Sequence, residues 1–257
     1  MITFGSLFSG GGGLDLGLEK AGMRCVFQVE NDRSCLILLR RHWPDVPKNE
    51  IRPCLGLVGG DPCPIRSSLS RCSRTRSPDL SGYFLAMVAR CKPRWVLREN
   101  VRAPDVDDFA AGLDLLGYGS VVVEADAAAF TGQSRPREFV VGFDLQDALD
   151  RFRDALSIAE GDVGDRSPDG SMEPPLPGID AHSGQYDRHQ AFVYEGPERG
   201  LRVLSPVERE LLQGWPPGWT DGLPQSPRCR IIGNGVAAPV AEYIGRCIVA
   251  AASSDQS

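Results

Sequence analysis

Residues Ile2–Gly22 read ITFGSLFSGGGGLDLGLEKAG. A short apolar run enters four consecutive glycines and leaves into a segment whose apolar residues recur at helical spacing, so the stretch predicts strand, tight turn, helix. A glycine-rich turn after the first strand of an α/β sheet lets backbone approach a nucleotide-like ligand beside a helix N-terminus. The spacing is neither G-x-G-x-x-G nor a Walker loop, and no lysine directly follows the glycines, so phosphate is not implied. Glu30 ends the next strand about 20 residues on, where an acid can bind ribose hydroxyls.

Outward from this stretch the alternation continues for about 155 residues. Strands are expected at CVFQVE, LGLVGG, WVLREN, SVVVEA and EFVVGFD, and helices at DRSCLILLRRHW, DLSGYFLAMVARC, VDDFAAGLDLLGY and LQDALDRFRDAL. Strands apolar on both faces suit a mostly parallel sheet covered by helices, a doubly wound α/β pattern. From about Ser157 to Gly200 the periodicity gives way to acidic sequence rich in Gly, Pro, Asp and Ser, which predicts loop. Order returns at LSPVERELLQGWP: Ser205 suits an N-cap, Pro206 the first helical position, Glu208 a capping box and Gly214 the stop. A last helix is expected from about Ala237 to Ala251, burying Val240, Ile244 and Ile248.

The chain of 257 residues carries a net charge of −6. Eight cysteines form no C-x-x-C pair and three histidines show no ligand spacing, so no metal site is expected and most of the thiols read as reduced core residues of a cytoplasmic protein. No segment reads as a signal peptide or a bilayer span. The charge is uneven: between Arg66 and Arg102 nine basic residues face only Asp79 and Glu99, a local excess of 7. A basic strip on an acidic protein suits a phosphate backbone met at one face.

Three further stretches carry chemistry. GGDPCP places Cys63 between two prolines directly after a strand, a thiol either packed in the core or aimed as a nucleophile. RENV places Glu99 at the end of another strand, and at the carboxyl edge of a parallel sheet both side chains would project into one crevice. A thiol and a carboxyl sharing a cleft suggest nucleophile and general acid. QSRPREF sets Arg135 and Arg137 on one face of a strand, able to hold a carbonyl oxygen or phosphates. Taken singly, Cys63 reads as a core thiol and Glu99 as half of a surface salt bridge.

In this order FSGGGG, GGDPCP, ENV, QSRPR, RVLSPVERELLQGWP and GNGV resemble the ordered motifs of the DNA cytosine-C5 methyltransferases, over nearly the whole chain except roughly residues 145 to 200. The resemblance implies a Rossmann-like S-adenosylmethionine-dependent methyltransferase fold. It divides the chain into a catalytic and cofactor-binding part (1–156), a very small target-recognition segment (157–200) and C-terminal helices returning to the first part (201–257). It implies Cys63 as nucleophile, Glu99 at cytosine N3, and Arg137 with Arg135 steadying the cysteine loop and the base. Phe8, Gly10, Gly12, Glu30 and Asn234 would line S-adenosylmethionine, with Glu50 near its adenine and Leu80 packing on it. Arg66, Ser67, Arg71, Arg74 and Arg76 would close over double-stranded DNA from which the target cytosine is flipped. Two positions depart from the pattern: Pro64 replaces the usual glutamine and Ser6 the usual aspartate. A monomer is expected, with a protein partner for the acidic segment left open. So are a modified sulfonium cofactor, an RNA or nucleotide substrate, and a non-catalytic nucleic-acid-binding role.

Overall fold

The computed structural model describes residues 1–62, 80–101, 106–163 and 192–253. Six strands form one sheet: β1 (Thr3–Leu7), β2 (Arg24–Val29), β3 (Gly56–Gly59), β4 (Trp95–Val101), β5 (Gly119–Asp126) and β6 (Pro136–Phe143). Their order is β2-β1-β3-β4-β6-β5. The first four run parallel, as expected, whereas β6 lies antiparallel between β4 and β5. The cause is the short link Ala127–Arg135, which holds only the single turn α5 (Ala128–Thr131). A parallel crossover needs a dozen or more residues, so β6 turns back and fills the place beside β4. This reversal brings the start of β6 to the sheet edge where β1, β3 and β4 end, with Arg137 opposite Val101.

Helices α1 (Gly13–Lys20), α6 (Gln146–Val163) and α9 (Ala238–Ala252) cover one face, and their apolar residues share a core with Phe4, Val58, Leu97, Phe139 and Val141. Helices α3 (Ser81–Cys91) and α4 (Val106–Leu115) cover the other around Leu7, Phe27, Leu57, Phe84, Phe109 and Val140. The sheet is therefore buried on both sides, which explains its continuous apolar strands. A third cluster joins α2 (Arg33–His42) to α8 (Gln225–Asn234) through Leu38, Leu39, Trp43, Trp215, Trp219 and Ile232. In α2, Asp32 accepts from the backbone N–H groups of Ser34 and Cys35 at 2.9 and 3.0 Å and so caps the helix. Helix α7 (Pro206–Leu212) has the expected capping box between Ser205 and Glu208.

Four details differ from the sequence expectation. Helix α6 continues past Leu156 to Val163, and β7 (Phe192–Tyr194) pairs with β8 (Leu201–Val203) within and beside the stretch read as loop. Helix α8 was not anticipated. Residues Gln225–Ala252 are also long and apolar enough to cross a bilayer by composition, against the reading that no segment approaches this. The extended backbone of Gly235 splits them into α8 and α9, and α9 packs on α1 and α6.

Candidate active site

The glycine turn after β1 is shaped from both sides. Gly10 and Gly12 have φ of 55° and 81°, left-handed values that favour glycine, and Phe8 shares the region at 51°. Behind the turn stands a wall of tryptophans: a Cβ on Gly11 would meet Trp215 at 2.8 Å, one on Gly12 would meet Trp43 at 2.5 Å, and one on Gly13 would meet the Val236 carbonyl at 2.4 Å. The Trp219 indole donates to the Gly11 carbonyl at 2.9 Å and the Trp215 indole to that of Val236 at 2.9 Å. The QGWP motif is thus the back wall of the first motif. In front, a Cβ on Gly10 would meet nothing closer than the Phe8 carbonyl at 3.9 Å.

Glu30 closes the turn. Its Oε2 accepts from the Gly10 N–H at 2.7 Å, and Oε1 accepts from Asn31 and Asp32 at 2.7 and 2.8 Å. A carboxylate has about four acceptor positions, so one remains for a ligand hydroxyl. Phe8 stands against Tyr83 and Phe84 of α3 with ring centroids 6.0 and 6.4 Å apart, and the Phe84 N–H donates to the Leu80 carbonyl at 3.0 Å. Phe8, Gly10, Gly12 and Glu30 therefore gather at one sheet edge, with Leu80 at the start of the helix beside them. Glu50 is exposed and paired with Arg52 at 3.0 Å. Asn49 instead accepts the Glu30 N–H at 2.9 Å, a contact the sequence reading missed. Asn234 ends α8 exposed to solvent, in the segment that Arg135 holds.

Beneath this turn lies a buried polar chain. Ser9 donates to Ser6 Oγ at 2.9 Å, and Gln28 donates to Asp15 at 2.7 Å. Burial pushes the Asp15 carboxyl up to about 6, opposed by the neighbouring Ser6 hydroxyl and Gln28 amide. An aspartate in place of Ser6 would set a second carboxylate against it.

The second cluster lies where β3 and β4 end. The Glu99 carboxylate is nearly buried and meets Arg137 Nε at 3.1 Å. Burial raises its proton affinity above the usual carboxylate range; Arg137 and Arg135 oppose this, and Asp61 reinforces it. Arg135 is also buried, and its Nη2 donates to the carbonyls of Gly233 and Gly235 at 2.8 Å each. Burial, then the neighbouring Arg137 charge, brings its guanidinium down to about 9. The pair expected on one face does line one small cleft with Phe139 and Val236, yet Arg137 meets Glu99 while Arg135 ties the GNGV segment to β6. Beside them Asp61 and Arg98 form a bidentate pair at 2.5 and 2.8 Å. Arg98 is thus buried and leaves the expected basic strip, and Arg94 in that strip is paired with Asp144 at 2.8 Å. Cys63, Arg66, Ser67, Arg71, Arg74 and Arg76 lie outside the described residues. Among the described residues, no group of three or more His, Cys, Asp or Glu side chains could hold a metal ion.

A family model described as C-5 cytosine-specific DNA methylase matches residues 2–155 and 178–250. The type II methyltransferase M.FnuDI of Fusobacterium nucleatum is 28% identical over 174 residues, covering 60% of this chain and 51% of that protein. M.NgoMIV of Neisseria gonorrhoeae is 26% identical over 302 residues, covering 95% and 96%. The alignments span about half the length of the first curated relatives that the chain matches. Among solved structures, the Dnmt2 methyltransferase of S. pombe superposes with a TM-score of 0.67 over 96% of this chain and 98% of its own at 13% identity, a likeness of fold. With a glycine turn closed by an acid at one sheet edge, a buried carboxyl paired to arginine at the next strand end, and a family match over most of its length, the chain belongs to the C-5 cytosine-specific DNA methylases.

Proposed function

We propose that the protein transfers a methyl group to C5 of a cytosine turned out of double-stranded DNA, with Cys63 as nucleophile and Glu99 as the acid at N3. The observation that carries this reading is the state of Glu99: a buried carboxyl with raised proton affinity, held by Arg137 at 3.1 Å and packed on Gly60, three residues before Cys63.

The family and the fold imply the use of S-adenosylmethionine, and the residues at the glycine turn fit it. The open front of Gly10 admits a ligand, the last acceptor position of Glu30 suits a ribose hydroxyl, and the Phe8 ring offers an apolar edge. Phe8 holds a left-handed φ that costs a bulky residue about 1–3 kcal/mol, as side chains at functional sites often do. When bound there, S-adenosylmethionine would supply an electrophilic methyl group, its bond to the sulfonium sulfur breaking as C5 takes it and a neutral thioether being left.

Cytosine C5 is too weak a nucleophile to take that methyl unaided. The Cys63 thiolate adds to C6, and the electron pair displaced from the C5–C6 bond is delocalised towards N3. Glu99 donates its proton or a strong hydrogen bond to N3 and so stabilises that charge. C5, now an enamine carbon, forms the new bond to carbon. Solvent water takes the C5 proton, whose electron pair re-forms the C5–C6 double bond and expels the Cys63 thiolate from C6, and N3 returns its proton to Glu99. Arg137 orients Glu99 throughout, and Arg135 holds the carbonyls on either side of Asn234. We assign residues 1–156 and 201–257 to the catalytic body and 157–200 to DNA recognition.

The test is mass spectrometry of nucleosides from DNA incubated with the protein and S-adenosylmethionine. 5-Methylcytosine is expected with the wild type and absent with Cys63→Ala. Equal product from both would remove Cys63 from the mechanism, and methylation of RNA alone would change the substrate.

A further inference from the structure

The end of β4 grips the exit of β3 from both faces of the sheet. Strand residues alternate, so Arg98 and Asn100 project to the α4 side and Glu99 to the other. On the α4 side Arg98 holds Asp61 by two parallel hydrogen bonds of 2.5 and 2.8 Å, with both side chains no more than 2% exposed. Asn100 Nδ2 adds contacts to Asp61 Oδ1 and its carbonyl at 3.3 and 3.4 Å, and the guanidinium stands 4.5 Å from the Phe109 ring centroid. On the opposite side a Cβ on Gly60 would meet Glu99 Oε2 at 2.9 Å.

This grip is not needed to join the strands. The β3–β4 ladder already runs from Gly56 opposite Trp95 to Gly59 opposite Arg98, and Gly60 and Asp61 lie beyond its end. Nor does a buried ion pair stabilise more than apolar side chains of like volume would. What the forked guanidinium supplies is orientation, because it accepts a carboxylate in one plane only. The residue so oriented stands two positions before Cys63.

We propose that Arg98 and Asn100, acting through Asp61, are positioning residues that fix where the chain leaves β3 and thereby hold Gly60 and Asp61 against the end of β4 beside Glu99. The inference rests on the catalytic role given to Glu99 above.

The test replaces the pair by apolar side chains, Asp61→Val with Arg98→Met, and compares it with each single change. Each single change strands a buried charge and should lower the melting temperature, whereas the double change should restore it. In the restored protein the backbone amides at positions 60 and 61 should exchange with deuterium about tenfold faster. Its kcat should stay about 100-fold below wild type, the scale of a 1 Å misplacement, with KM for S-adenosylmethionine unchanged. Wild-type exchange together with wild-type kcat in the double variant would reduce the pair to packing and overturn the inference. If the double variant does not fold, Arg98→Lys keeps the charge and loses the fork. The same fall in kcat is then expected, and full kcat with unchanged exchange would overturn the inference. A wild type that makes no methylcytosine would sink the functional reading, while the exchange rates would still decide the grip.

Discussion

The Asp15 carboxyl is fully buried under the glycine turn, and burial lifts its proton affinity from the usual 3.8 to about 6. The neighbours that act on it are Ser6, Gln28, Glu19 and Lys48, and burial outweighs them. Because the folded protein holds this proton more tightly than the unfolded chain, the associated stability is complete below pH 3.8 and is lost as pH rises through about 6. At about 1.4 kcal/mol per pH unit, the loss over that interval is about 3 kcal/mol, of which about 2 kcal/mol falls between about pH 4.5 and 7.5. Asp15→Asn keeps the size and the Gln28 contact but carries no titrating proton. Urea unfolding followed by tryptophan fluorescence should show the variant gaining about 2 kcal/mol on the wild type between those two pH values, equivalent to about 4–8 °C in melting temperature. Two stabilities that run parallel across the range would refute the argument, because Asp15 would then have the same proton affinity folded and unfolded.

Trp215 is 2% exposed and packs on Gly11, Gly13 and Gly235, so Trp215→Ala should cost about 3–5 kcal/mol in thermal or urea unfolding; a loss below 1 kcal/mol would deny it the role of back wall. Gly13→Ala should weaken S-adenosylmethionine binding in calorimetry, since its Cβ would stand 2.4 Å from the Val236 carbonyl and push the turn forward; unchanged affinity would mean that the turn does not line the cofactor. Arg137→Gln removes the leading cation that holds down the proton affinity of Glu99, so the limb of the pH–rate profile governed by Glu99 should move to higher pH, and a fixed limb would detach the pair from catalysis. Ser205→Ala should cost about 1 kcal/mol by removing the capping box, read as a fall in melting temperature.

Most of the catalytic body is legible in the sequence because its signals are local. Strand runs, the glycine turn and the Ser205-to-Glu208 box each act within a few residues, and Glu30 directly follows β2, where the βα alternation puts it. What escapes is what distant residues do to one another. The four glycines suggest a ligand in front, but Gly11 and Gly13 are as firmly required by Trp215 behind, about 200 residues away. Arg98 counts as surface charge in a tally of basic residues and is buried because Asp61, 37 positions earlier, receives it. Glu50 and Asn49 differ by one position, and only the fold decides which one meets the end of β2. The antiparallel β6 was readable in principle from the short link after β5, which leaves no room for a crossover.

The most direct test of the proposed chemistry is a duplex carrying 5-fluorocytosine at a methylated site. Fluorine cannot leave C5 as a proton does, so an enzyme that adds a thiolate to C6 and then methylates C5 stops with its C6–S bond intact. A denaturation-resistant complex with the mass of protein, DNA strand and one methyl group is expected, formed only with S-adenosylmethionine present and absent with Cys63→Ala. Methylated cytosine from ordinary DNA without any trapped complex, or a complex that persists in Cys63→Ala, would contradict that chemistry.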